Sequence, residues 1–279
     1  QAPASADLWR LAATSLPGPA ALETGITGAF WNPAAAGDRG LGLGVGLQMI
    51  ETPDIIGVSG LLAAVTYALG SSTRVLVMVG RTDISDLVRT TTSATSEGEI
   101  PVYEQHVAAG GVLRIGTLRV GALARAHDAR FDADRSNGIT ADLGVRWTPI
   151  APLTLAAATH FFPVNLTSRE TTDYYAGVEY LIRSPRILDT PSRVLARYGV
   201  SHREGNGFEH GLGLGLALAD RLRADALVTR ELAYGVAAWR PSVGVAFRVG
   251  RYALTAARAS GLNGLGATYR IGLDVDVIP

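Results

Sequence analysis

The chain has 279 residues, with 25 basic residues, all arginine, against 25 acidic ones, so its formal net charge is zero. That balance excludes the basic excess by which nucleic-acid binders hold phosphate. The absence of cysteine excludes disulfides, thiolate metal sites and cysteine nucleophiles.

Residues 1–39 read differently from the rest. Gln1 in place of an initiator Met fits a mature chain from which a signal peptide has been removed. Ala6 to Thr14 predicts a short helix with Leu8, Leu11 and Ala12 on one side, broken by Pro17, Gly18 and Pro19. The segment is too short for a domain and too apolar for a free tail, so a plug or cap over the following domain is expected.

From Gly40 to residue 279 the pattern has period two, the signature of strands with two distinct faces. It is clearest at Leu41 to Ile50, Ile139 to Trp147, Ser242 to Val249 and Ala267 to Val277. In the second stretch Ile139, Ala141, Leu143, Val145 and Trp147 share one face, and Thr140, Asp142, Gly144 and Arg146 share the other. Turn signals divide the whole region into fourteen strands beginning at Leu41, Val58, Thr73, Tyr103, Thr117, Gly138, Leu153, Thr171, Arg193, Phe208, Leu222, Val236, Arg251 and Leu265. Such lengths suit the ~9–11 residues that cross a bilayer when tilted, whereas the longest weakly polar run, Val58 to Gly70, is too short for a spanning helix. Connections after odd strands are polar or Gly-rich, including Asp83 to Pro101 and the DADRSNG stretch, 132–138; most after even strands are tight. Short periplasmic turns and longer external loops are the bacterial barrel pattern.

One face of these strands is apolar. The other mixes Gly, Ala and Thr with a few charges, which suits a confined lumen better than bulk water. Trp147, Tyr174, Tyr175, Trp239, Tyr252 and Tyr269 near strand ends fit an interfacial girdle. The expected fold is therefore all-β: a transmembrane antiparallel β-barrel of about fourteen strands in the bacterial outer membrane, with a short N-terminal plug or cap.

The run from Gly40 to Gly46 places a glycine at every second residue inside a strand, not on a strand-to-helix turn, so it is no phosphate loop. Gly40, Gly42, Gly44 and Gly46 leave one face without side chains, where the N-terminal segment is expected to pack. The run Gly211, Gly213 and Gly215 echoes it. His106, His127, His160, His202 and His210 have no metal-ligand spacing, and Ser201 and His202, adjacent on a strand, point to opposite faces. No catalytic site, metal or cofactor is expected. The polar face carries Arg114, Arg119, Arg125, Asp142, Arg146, Glu179, Arg197, Glu209, Arg223, Asp225, Arg248, Arg270 and Asp274. With both signs present, these charges read as a paired network filling a small barrel, ahead of an anion-tuned channel. The Ser/Thr-rich loop from Asp83 to Pro101 is expected to be mobile, either a recognition element or a plain connection.

Phe30-Trp31-Asn32-Pro33-Ala34-Ala35-Ala36, preceded by Gly25-Ile26-Thr27-Gly28, resembles the segment before the first strand in the FadL-like outer-membrane barrel superfamily. The Gly138 to Gly144, Trp147 to Pro149 and Leu153 to Leu155 pattern is similar to a mid-barrel hairpin of its PorV-type branch. The resemblance implies fourteen strands and one of two roles. The PorV-type role is docking or scaffolding in a larger cell-envelope assembly such as a secretion system; the FadL-type role is passage of hydrophobic small molecules. The short plug and charged lumen favour docking, with passage of a hydrophobic ligand, or a narrow diffusion pore, as the alternatives. Expected partners are outer-membrane lipid and other envelope proteins, with no nucleic acid. Asn32, Pro33 and Ala34 either act in gating or shape the turn into the first strand.

Overall fold

The computed structural model describes residues 14–38, 42–52, 57–85, 87–90, 96–164, 171–187, 189–203, 207–219, 221–233, 236–261 and 266–278. Alternating β-branched and small residues build fourteen long strands. The first seven are β1 (Leu43–Thr52), β2 (Val58–Ala68), β3 (Thr73–Ile84), β4 (Val102–Ile115), β5 (Leu118–Phe131), β6 (Asp134–Ile150) and β7 (Leu153–Pro163). The rest are β8 (Asp173–Arg183), β9 (Thr190–Arg203), β10 (Phe208–Leu218), β11 (Leu222–Ala233), β12 (Val236–Val249), β13 (Tyr252–Ala259) and β14 (Thr268–Asp276). Each pairs antiparallel with its neighbours in sequence, and β1 pairs with β14, closing the barrel. Closure leaves no sheet edge, which a bilayer requires because lipid cannot satisfy backbone N–H and C=O groups.

Six strands begin where the turn signals place them, at Val58, Thr73, Leu153, Phe208, Leu222 and Val236. Two connections differ from expectation. The stretch 132–138 is not a long loop: β5 turns into β6 through Asp132, at φ 55°, and Ala133, and the rest extends β6. The connection from Asp83 to Pro101 contains a small hairpin of Val88–Thr90 with Ser96–Glu99.

The strand faces divide cleanly. Outward positions are apolar and exposed: Leu47, Met49, Leu61, Val65, Val75, Val77, Val79, Val107, Leu143, Leu212, Leu214, Val243, Val245 and Ile271. A water-soluble barrel would place such residues inside; here they face what must be hydrocarbon. On β3 to β6 this apolar face ends at a single register row. Val79, Val107, Ala126 and Ile139 give way to Arg81, Gln105, Asp128 and Asn137, which are mutual cross-strand partners. Arg81 Nη1 donates to Gln105 Oε1 (3.2 Å) and Gln105 Nε2 to Asp128 Oδ2 (3.1 Å), a polar belt at the membrane edge. Of the expected girdle, Trp147, Tyr174, Trp239, Tyr252 and Tyr269 are exposed on the outside. Tyr175 is not, because the alternation turns it inward, where it is buried.

The lumen is occupied. Residues 14–38 contain three short 3-10 helices, Ala20–Leu22, Thr27–Phe30 and Pro33–Asp38. Ala21, Ile26, Ala29, Phe30, Asn32, Ala34, Ala35 and Ala36 are all fully buried there. The core of the molecule is thus the seam between this segment and the inner wall, where Ile26 and Phe30 cluster with Leu62, Leu76, Met78, Ala108 and Leu123. Residues 6–13 of the expected helix lie outside the described residues, and Thr14, which is described, is not helical.

Candidate functional site

Glycines in the wall make room for the segment. A Cβ on Gly144 would stand 2.0 Å from Asn32 Oδ1, one on Gly121 2.6 Å from Ala34 N, and one on Gly199 2.3 Å from Pro19 Cβ. On β1, a Cβ on Gly44 would meet Ile26 Cδ1 at 2.7 Å, and one on Gly46 would meet Ile26 Cβ at 2.9 Å. Gly40 lies outside the described residues. Gly42 does not face the segment: with φ +116° it lies against the backbone of Ile278, because the chain enters β1 beside its own C-terminal end. Polar contacts between described residues also hold the segment to the wall. Asn32 Nδ2 donates to Val145 O (3.3 Å), Arg146 Nη1 to Leu22 O (3.0 Å), and Ile26 N to Asp274 Oδ2 (3.4 Å). Asn32 also ties the segment to itself, donating to Ala21 O (2.7 Å) and accepting from Ala34 N (3.0 Å). Asn32, Pro33 and Ala34 therefore sit against β5 and β6 inside the barrel, not at the turn into β1.

Glu23 is buried within the segment, accepting from Ser15 N (3.1 Å) and from the Ser15 hydroxyl. Burial pushes its carboxyl up to about 7; the Ser15 hydrogen bonds and the Arg223 and Arg270 charges pull the other way and are outweighed.

Beside Phe30 and Trp31 the wall is irregular. Ala141 pairs with Phe162 but Leu143 with Thr159, so Asp142 faces both His160 and Phe161 across a bulge. Phe161 adopts φ 58°, a strained conformation for a non-glycine residue. Asp142 holds the bulge: Oδ1 accepts from Phe161 N (2.8 Å), while Oδ2 accepts from Arg125 Nη2 (2.6 Å) and Nε (3.2 Å). The bulge turns two successive side chains inward, and His160 and Phe161 are both buried. Phe30 lies 4.8 Å from the His160 ring and 4.5 Å below the Arg125 guanidinium. Trp31 meets Tyr175 edge-on at 5.9 Å, and Tyr175 donates to Asp173, which also accepts from Arg203 Nε. His106 and His127, cross-strand partners, complete this buried layer with Glu104. Among the described residues no three His, Asp or Glu side chains converge so as to hold a metal ion.

The charges expected on the polar face fall on the inward alternation, but they do different things. Arg125 pairs with Asp142. Arg197 bridges Glu179 (2.6 Å) and Asp225, and Arg223 also donates to Asp225 (2.6 Å). Arg146 stands 3.9 Å from Glu179. Arg270 is buried, Asp274 binds the segment, and Arg119 lines it at Gly37. Glu209 accepts from Ser201, while His202 stacks outward on Phe208, so the two neighbours do part. Arg114 and Arg248 are exceptions: at strand ends beside tight turns, both are exposed to solvent, and Arg114 donates to Gly116 O.

Sequence spacing did not show the bulge layer. His106, His127 and His160 are scattered along the chain and meet only through the register of β4 to β7. The one available signal was His160-Phe161-Phe162-Pro163, where the alternation of β7 fails.

Among the described residues, two cavities accompany the site. One, of about 290 Å³, lies at the short-turn end between Thr24 of the segment and the wall. The other is a concavity of about 940 Å³ on the outer face of β9 to β14, floored by Ala224, Ala226 and Ala256 and walled by Val194, Leu214, Leu216, Val243, Val245 and Ile271.

No family model matches the sequence, and no curated protein matches it. The structure is similar to the CymD monoaromatic hydrocarbon channel, with TM-score 0.60 and 13% identity over 94% of this chain and 97% of that one. It is similar to the Pseudomonas putida toluene transporter TodX, with TM-score 0.59 and 9% identity over 93% and 94%. It also resembles the Ralstonia pickettii toluene transporter TbuX, with TM-score 0.55 and 14% identity over 92% and 96%. At such identities these likenesses establish the fold. With the apolar outer face, that fold is an outer-membrane barrel.

Proposed function

We propose that the protein carries hydrophobic small molecules across the outer membrane, and that the structure is its closed state, with residues 14–38 as the plug. The observation that carries this reading is the concavity on the outer face. A barrel wall is ordinarily convex toward lipid, whereas here six adjacent strands, β9 to β14, border an apolar hollow of about 940 Å³ floored by alanine. On the lumenal side of the same wall, Gly244 rests on Pro17 of the plug. A hydrophobic solute dissolved in the membrane would concentrate in that hollow with one layer of small residues between it and the plug. Ile26, Phe30 and the alanines of the plug seat it through apolar contact with the wall. The hydrocarbon channels of the same fold lend support.

Uptake of toluene into proteoliposomes tests the proposal. Uptake should exceed that of protein-free vesicles, and Ala226→Trp, which fills the hollow from the exposed side, should slow it several-fold without altering stability. Equal uptake with and without protein would refute the reading. Planar bilayers should show little ion conductance, since the plug fills the lumen; a steady large conductance would make the protein a diffusion pore.

The PorV-type docking role keeps one observation in its favour, an unbroken wall with an ion-paired lumen. Purification from native outer membranes with a stoichiometric protein partner would establish it.

A further inference from the structure

The hollow on the outer face has a direction. Its outward-facing strand residues fall on two adjacent register rows. The upper row runs Tyr269, Arg258, Val243, Ala226 and Leu214 from β14 to β10. The lower row runs Ile271, Ala256, Val245, Ala224, Leu216 and Val194 from β14 to β9. Strands in a sheet are spaced ~4.8 Å apart, so the lower row extends for roughly 24 Å. It is also inclined. Arg258 stands near the end of β13 remote from the short turn at Gly250 and Arg251, whereas Ile187, in the connection after β8, borders the other end of the hollow. Short turns face the periplasm, so the hollow starts on the external side and descends toward the periplasmic one. With strands tilted ~35–45°, the drop is about 15 Å, half of a ~30 Å hydrocarbon core.

The external end carries a charge. Arg258 is exposed on the lipid-facing side, and its register neighbours are Val243 and Tyr269. Its guanidinium carbon lies 6.0 Å from the Tyr269 ring centroid, and among the described residues no carboxylate forms an ion pair with it. Glu51, the exposed acid on the same row, stands on the far side of Tyr269. A charge on the lipid face is tolerated where the side chain reaches the headgroup layer. There a guanidinium offers a fork of donors that fits phosphate.

We propose that this hollow is the seat of a membrane lipid with a phosphate headgroup. The phosphate lies on Arg258, with the Tyr269 hydroxyl beside it, and one acyl chain descends over Ala256, Ala226 and Ala224. The shape argues for a chain, since a compact solute needs neither the length of the hollow nor a cation at one end. The seat does not rest on the transport reading. Where transport holds, a hydrophobic solute and the lipid chain exclude each other from the same hollow.

The test is native mass spectrometry of the full chain in mild detergent, titrated with dioleoyl phosphatidic acid. Dioleoylglycerol, with the same chains and no phosphate, is titrated separately. One phosphatidic acid should be retained at saturation, and dioleoylglycerol far less. Arg258→Gln should weaken retention of phosphatidic acid roughly tenfold, the worth of one charge-assisted hydrogen bond, and leave dioleoylglycerol unchanged. Ala226→Trp, which fills the hollow, should weaken both. Both positions are exposed, so neither variant disturbs the plug or the buried pairs. Arg81→Gln, on the polar belt away from the hollow, should retain phosphatidic acid as the wild type does. Equal retention by wild type and Arg258→Gln overturns the seat, as does an equal loss with Arg81→Gln, which would mean surface charge alone. Weakening by Arg258→Gln with none by Ala226→Trp also overturns it, since no chain would lie in the hollow. Proteoliposome uptake separates the two claims. Toluene uptake by a protein that retains no phosphatidic acid removes the seat and leaves transport. Specific retention without toluene uptake supports the seat and removes transport.

Discussion

Strands β1 and β10 carry nearly the same pattern, glycine alternating with leucine or valine, and both leave an inner face free of side chains. They use that room differently. On β1, Gly44 and Gly46 admit Ile26 and Thr27 of the plug. On β10, a Cβ on Gly215 would stand 2.6 Å from Asp225 Oδ1 and 2.8 Å from Arg197 Nη2, and one on Gly211 or Gly213 would meet Leu227 at 3.3 Å. The second run makes room for side chains from β9 and β11, its own neighbours. An identical alternation therefore dictates an empty face, while its occupant depends on whether the flanking strands bear long side chains. Beside Gly44 and Gly46 stand Ala64, Thr66, Asp274 and Asp276, of which Asp274 also reaches over Gly46; beside β10 stand the longer Arg197 and Leu227 with Asp225.

The largest test of this contrast is removal of the β10 occupant. Asp225→Ala deletes a carboxylate with no solvent exposure from between Arg197 and Arg223. Arg197 then keeps only Glu179 of the two carboxylates it bridged and Arg223 loses Asp225, which should cost about 3–5 kcal/mol in urea unfolding. The double variant Arg197→Met/Asp225→Leu should recover most of it. An unchanged midpoint for Asp225→Ala would mean that the pair does not sustain the wall.

Next in size is a pH effect on the β1 side, through the plug. The Glu23 carboxyl, raised by burial to about 7 from its ordinary 4.5, holds a proton when docked that it gives up when released. Docking is therefore strongest below about pH 4.5, weakens as pH climbs toward 7, and levels off above. The loss across that window is roughly 3 kcal/mol. Hydrogen exchange of residues 14–38 at pH 5 and pH 8 should show greater protection at pH 5, and Glu23→Gln should abolish the difference. Protection that increases with pH would contradict this assignment.

Much of the fold was legible because a barrel wall is written in local pattern. Period two, turn residues and alternating loop character are properties of neighbours in sequence, and they placed fourteen strands, six at their first residue. The plug's contact with Gly44 and Gly46 was legible for the same reason, since an empty face calls for filling. What stayed hidden depended on register between distant segments. Nothing local to Asp142 announces that it will hold a bulge at Phe161, or that Phe30 will pack beneath Arg125. The cavity beside Thr24 was half visible: Arg146, Glu179 and Arg223 could be assigned to the inner face by alternation, but their convergence with Arg193 needs β6, β8, β9 and β11 drawn together.

Substitution of the glycines themselves gives the smaller effects and the finest discrimination. Gly46→Leu would drive a side chain into Ile26, Thr27 and Asp274. Overpacking of this kind costs about 1–3 kcal/mol. Because its neighbour is the plug, the strain should be relieved by partial undocking, seen as intermittent ion conductance in planar bilayers that the wild type lacks. Conductance indistinguishable from wild type would place the plug's hold elsewhere than β1.

Gly213→Ala makes the matching change on β10 and should do almost nothing to the plug. Its new Cβ would meet Ala226 O at 3.2 Å and Leu227 Cδ1 at 3.3 Å, contacts slightly tight but open to relief by a small rotation of Leu227. Against that, replacing glycine within a strand recovers roughly 0.5–1 kcal/mol of backbone entropy. The two terms nearly cancel, so unfolding should shift by less than about 1 kcal/mol, with conductance and the exchange of residues 14–38 unchanged. Loosening of the plug by Gly213→Ala would show that the two glycine runs are coupled through the lumen, and the division between a plug-bearing strand and an ion-pair-bearing strand would have to be abandoned.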